Sequence, residues 1–222
     1  MILDVVAAFA AGYLLGGVPA AMWISRLAGS DIFRIGSRNM GAMNTARNVG
    51  FIAGIAVFAA DVGKGALAVI LGGWMATVVG RADPLGMALL AGVGAVAGHA
   101  WSPYVRFRGG KGLAAIFGAS LPVAPWAGVT TLLLLIALIL LSKRSEASAV
   151  ASLILLPFVS ASLAIRFFAW PPEQVALVTL AFAVMSLVSV VKHRQAWRER
   201  RAVTTGGAEP NRGGSGGPPG AR

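Results

Sequence analysis

The stretch Arg106-Phe107-Arg108-Gly109-Gly110-Lys111-Gly112 sets three basic side chains among three glycines. Glycines let backbone N–H groups converge on an anion, and a lysine ammonium can close over its charge. The chemistry this predicts is the grip of a phosphate. It is not the nucleotide loop of P-loop enzymes. Lys111 is followed by Gly112 rather than Ser or Thr, and Val105 stands where that motif places its first glycine. A basic loop flanking a membrane span has the same composition, so the stretch alone leaves both readings open.

Other polar residues extend the chemistry. Ser37, Asn39, Asn44, Arg47 and His193 supply hydrogen-bond donors and cations, with no Ser/His/Asp order and no paired carboxylates for covalent or acid/base catalysis. Such a set suits reactions driven by positioning and electrostatics, in which a substrate phosphate takes up the proton itself. Asp61 and Lys64 stand three residues apart inside an apolar run, on one face if the run is helical, where they can pair. Charges at membrane depth are costly and usually line a cavity; the same pair can also be purely structural. His99 either caps the end of its helix or orients the glycine turn that follows.

These residues sit in a chain with 57% hydrophobic and 12% charged residues, far below the roughly 25% charge of soluble domains. That is the composition of a membrane protein. The absence of cysteine excludes disulfides, thiolate catalysis and iron–sulfur or zinc-thiolate sites. Two histidines and eight scattered carboxylates argue against a metal centre. A net charge of +11 must lie in loops and tail, which points to lipid headgroups and an anionic substrate rather than to nucleic acid.

The elements that must position the site follow from the apolar runs. Helices are expected at about 2–27 with an interruption at Gly16-Gly17 and Pro19, at 51–79, at 84–101, at 126–141, at 150–168 and at 175–191. The N-terminal run lacks a basic leader and carries Asp4, which reads as a retained span. Leu113 to Leu121, closed by Pro122 and Pro125, is too short to cross alone and reads as a short or re-entrant fourth segment whose N-terminus would face the anion. The expected fold is all-α and polytopic, with seven transmembrane segments counting that one. Basic residues gather on one side of this layout, which puts the N-terminus outside and the C-terminus in the cytoplasm. Residues 1–201 form the membrane domain, and 202–222, rich in Gly and Pro, read as a disordered tail.

Three stretches together resemble the bacterial membrane glycerol-3-phosphate acyltransferases that use acyl phosphate, the PlsY family. Gly36 to Gly50 is similar to that family's G-S-G-N-x-G-A-T-N-x-x-R-x-x-G, with Arg38 and Met43 in place of a glycine and the threonine. Asp61-Val62-Gly63-Lys64-Gly65 matches D-x-x-K-G. Gly98-His99-Ala100-Trp101-Ser102-Pro103, through Phe107 to Gly112, resembles the family's histidine-to-glycine-lysine segment. The last motif, H-R-E-N-I, is here His193-Arg194-Gln195-Ala196-Trp197. Acyltransferases of the H-x4-D type fit poorly, since His99 is followed five residues on by Tyr104 and His193 by Arg198.

The resemblance implies transfer of a fatty acyl group from acyl phosphate to the 1-hydroxyl of glycerol 3-phosphate, giving lysophosphatidic acid and phosphate. It implies no acyl-enzyme, no metal and no cofactor, with the two substrates and membrane lipids as partners and no obligate protein partner. Ser37, Arg47, Lys111 and His193 are then the catalytic set. Asn39, Asn44, Gly109, Gly110 and Gly112 bind substrate phosphate, and Asp61, Lys64 and His99 support the site. The resemblance places the chain in the bacterial inner membrane with its site on the cytoplasmic face. Two other readings stay open, a carrier of a small organic phosphate and a non-catalytic paralogue.

Overall fold

The computed structural model describes residues 2–80 and 83–206, with side chains up to residue 199. The described residues form helices α1 (Ile2–Gly17), α2 (Ala20–Leu27), α3 (Ala42–Asn48), α4 (Phe51–Val79), α5 (Pro84–Ala100), α6 (Leu113–Ser120), α7 (Pro125–Ser142), α8 (Ser145–Phe168) and α9 (Pro172–Gly206). A single 3₁₀ turn, Pro103–Val105, leads into the glycine-lysine segment. Six stretches among them are long and apolar enough to cross a membrane, with α1 and α2 counted as one and α5 counted with the 3₁₀ turn. The eight-residue α6 is the expected short segment.

The break between α1 and α2 follows from Pro19, which has no N–H to continue the ladder. A broken helix in lipid survives only if its freed carbonyls find donors. Here the Ser102 hydroxyl donates to Gly17 O at 2.6 Å, and Lys64 Nζ donates to Val18 O at 3.1 Å. Both donors belong to the motifs themselves. The break is thereby tied to the polar end of the molecule.

Small residues set the helix packing. α1 makes its most extensive contact with α5, and a Cβ at Gly12 or Gly16 would stand 2.0 Å from the carbonyl oxygens of Ala91 and Ala95. Without an aqueous hydrophobic effect between helices, close backbone approach of this kind is what holds membrane helices together. Phe182, Met185 and Val178 of α9 meet Leu153 and Leu156 of α8, with Leu89, Val69 and Ile116 completing the buried centre. Leu133, Leu140 and Leu141 of α7 and Phe158 of α8 are exposed, as lipid-facing side chains are.

The helices depart from expectation in several places, including the start of α9 at Pro172 rather than 175. α8 begins at Ser145 rather than at 150, because Arg144 O accepts the Ser148 amide and places the polar start of the segment inside the helix. The polar 30–50 segment contains α3. α9 continues through the basic juxtamembrane run to Gly206, so the first residues of the expected tail, 202–206, are helical. The remainder, 207–222, lies outside the described residues.

Candidate functional site

The 36–48 loop is organised by Asn44. Its Oδ1 accepts the Ser37 amide at 2.9 Å, and its Nδ2 donates to Ile35 O at 3.3 Å and Asn39 O at 3.1 Å. Asn48 Nδ2 adds a bond to the same Oδ1 at 3.0 Å. Both donor hydrogens of the Asn44 amide are spent on the backbone. Asn44 therefore shapes the loop that presents Ser37 and Asn39.

The glycine turn is pressed against His99. The Gly110 amide donates to His99 O at 3.0 Å, and a Cβ on Gly110 would lie 2.1 Å from His99 Nε2 and 2.7 Å from Met40 O. A Cβ on Gly109 would lie 2.2 Å from the carbonyl oxygens of both His99 and Ala100. These glycines are required by close approach, and the Gly110 N–H is committed. The expected nest of free amides does not extend to Gly110. Gly112, at φ 89°, is the N-cap of α6, a left-handed position that glycine occupies without cost.

Beneath the turn lies the buried charge cluster. Lys64 Nζ is 2.8 Å from Asp61 Oδ1, and His99 Nδ1 is 3.4 Å from the same oxygen. Asp61 thus joins α4 to α5, and His99 passes that constraint to Gly110 through its carbonyl and ring. His99 thus touches the glycine turn with both its carbonyl and its ring.

Above the turn, the Lys111 ammonium bonds both carboxylate oxygens of Glu146, in the first turn of α8. The Oε2 of Glu146 stands 4.0 Å from His193 Nε2. The Ser189 hydroxyl donates to Lys111 O, while Ser189 O pairs with His193 Nδ1 at 2.9 Å. A carbonyl only accepts, so Nδ1 carries the proton of this bond and Nε2 faces the carboxylate. Lys111 and His193, 82 residues apart by number, are brought together here. Sequence reasoning missed Glu146: it is a single carboxylate after Lys143-Arg144, and no spacing ties it to Lys111.

A cavity of about 630 Å³ opens between the 36–39 loop, the glycine turn and α9. Ser37 and Asn39 of the first loop, Gly109 of the turn, and Lys192, Ala196 and Glu199 of α9 line it together with Arg38 and Arg108. The Arg108 guanidinium lies 5.7 Å over the Phe33 ring and links the two loops across the cavity wall. Trp101 Nε1 donates to Gln195 Oε1 at 3.3 Å, which fastens α9 to the end of α5. Arg47 is exposed on α3, outside the residues that line the cavity.

A family model described as glycerol-3-phosphate acyltransferase matches residues 6–202. This chain belongs to the glycerol-3-phosphate acyltransferase family. Glycerol-3-phosphate acyltransferase 1 of Deinococcus radiodurans is 40% identical over 154 residues, covering 68% of this chain and 73% of the relative. The Salinibacter ruber glycerol-3-phosphate acyltransferase is 34% identical over 196 residues, covering 82% of each. Among solved structures, PlsY, an integral membrane glycerol 3-phosphate acyltransferase in its glycerol 3-phosphate form, superposes with TM-score 0.70 at 25% identity, covering 92% of each chain. A second crystal structure of PlsY, in the lysophosphatidic acid form, has the same fold at TM-score 0.70 and 23% identity. Of the residues in these motifs, Ser37, Asn39 and Gly109 line the cavity, while Lys111 and His193 meet at Glu146 and are not among its lining residues.

Proposed function

We propose that this membrane glycerol-3-phosphate acyltransferase takes its acyl group from acyl phosphate and transfers it to the 1-hydroxyl of glycerol 3-phosphate. The observation that carries the reading is one polar cavity shared by Ser37 and Asn39 from one loop and Gly109 from the other, with Lys111 two residues from Gly109. The 1-hydroxyl attacks the acyl carbonyl carbon, the bond from that carbon to the phosphate oxygen breaks, and the hydroxyl proton passes to phosphate. Lysophosphatidic acid and inorganic phosphate result.

Within this reading Lys111 and His193 neutralise phosphate charge, and Ser37 and Asn39 donate hydrogen bonds to phosphate oxygens. Arg47, on the exposed face of α3, meets the incoming anion. The glycine turn leads into the start of α6 and sets the phosphate at a helix N-terminus. Positioning of two reactants and fixed positive charge account for the rate, with no covalent intermediate. The basic loops at the site's end of the bundle support a cytoplasmic face in a bacterial inner membrane.

The test offers acyl phosphate and acyl-CoA separately to the purified protein with glycerol 3-phosphate. Product from acyl phosphate alone is expected. Transfer from acyl-CoA in its place would refute the donor assignment.

A further inference from the structure

Lys111 and His193 are both anchored to Ser189. The lysine is held by its carbonyl, which accepts the Ser189 hydroxyl, and the histidine by its Nδ1 bond to Ser189 O. The Lys111 backbone is further fixed through Gly110, whose amide is bonded to His99 O. Their common partner is placed differently. The Glu146 side chain is 48% exposed at the start of α8, whereas that of Lys111 is only 16% exposed. Glu146 can leave toward water at little desolvation cost, while the more enclosed Lys111 ammonium keeps its demand for negative charge.

A carboxylate presents a lysine with the same kind of partner that a phosphate does: two oxygens sharing negative charge, accepting charge-assisted bonds. Two anions cannot occupy one ammonium and one imidazole face without repelling each other. We propose that Glu146 is the internal anion that holds Lys111 and His193 in register in the substrate-free protein and is exchanged for a substrate phosphate on binding. The proposal rests on the reading of Lys111 as a phosphate-binding lysine. Glu146 acts through Lys111 and His193 and is a positioning residue that sets phosphate affinity.

Glu146→Gln keeps the shape of the side chain and removes the competing charge, so substrate phosphate no longer has to displace it. Binding of inorganic phosphate, measured by calorimetry on the full chain in detergent, is expected to tighten about five- to tenfold, a common range for coupled binding. The KM for the substrate whose phosphate sits on Lys111 falls in parallel, and kcat does not rise with it. Phosphate affinity that is unchanged or weaker in Glu146→Gln, in protein that melts like wild type, would overturn the proposal and make Glu146 a permanent brace. Glu146→Asp, which keeps the charge but withdraws it by one methylene, is expected to fall between the two and serves if the glutamine variant does not fold. Lys111→Ala separates the two readings: if it leaves phosphate affinity at the wild-type value, the phosphate role of Lys111 fails whatever Glu146 does.

Discussion

Arg38 shows how a single position carries both the geometry and a cost of the site. It adopts φ 56°, a left-handed conformation that costs a non-glycine residue about 1–3 kcal/mol. Its neighbours Ser37 and Asn39 face the cavity, so the backbone must turn there whatever side chain it bears. Arg38→Gly is expected to stabilise the protein by about 1 kcal/mol, read as a higher midpoint of thermal unfolding in detergent, since relief of left-handed strain outweighs added chain entropy. A lower midpoint would mean that the guanidinium makes a net stabilising contact. Gly110→Ala should act oppositely: its Cβ would drive into His99 Nε2, displace Lys111 and lose most acyl transfer. Ser37, Asn39 and Gly109, which face the cavity, were legible in the sequence because each sits in a spaced motif, whereas Lys192 and Glu199, which also line it, sit in none. Glu146 was not legible, because its partnership with Lys111 arises only when α8 folds back on the glycine turn. Asn44 was legible as a polar residue of the loop, but its orientation toward Ile35 O and Asn39 O depends on backbone no pattern specifies.

At the scale of elements, the buried Asp61–Lys64–His99 cluster locks α4 to α5 and to the break before α2. Removing one member leaves a buried charge without its partner, so Asp61→Leu is expected to cost about 3–5 kcal/mol of stability. Adding Lys64→Met removes the orphaned ammonium and should recover part of that loss, although Val18 O then lacks its donor. Thermal unfolding of both singles and the double forms a cycle, and simple additivity of the two losses would show that the pair is uncoupled. The long helices were readable from apolar run length, and the α1–α2 break from Gly16-Gly17 and Pro19. The start of α8 and the continuation of α9 were not, because there helix propensity and packing carry the chain past the point where hydropathy falls. The donors that satisfy the break, Ser102 and Lys64, come from distant segments and could be matched to it only in three dimensions.

For the whole molecule, the convergence of both loops and the basic part of α9 at one end predicts a single reactive face. The chain contains no cysteine, so single cysteines report orientation without background. In intact cells a membrane-impermeant maleimide should label Ala169→Cys, at the turn between α8 and α9, and spare Lys143→Cys until the membrane is opened. The reverse pattern would invert the assigned orientation. The central claim, that a Lys111-centred phosphate grip drives acyl transfer, is tested most directly by following lysophosphatidic acid and inorganic phosphate together from acyl phosphate and glycerol 3-phosphate. One phosphate is expected per lysophosphatidic acid formed, with turnover lower by about 10²–10³-fold in Lys111→Ala, the range for losing one fixed group at developing negative charge. Turnover in Lys111→Ala at the wild-type rate would contradict it.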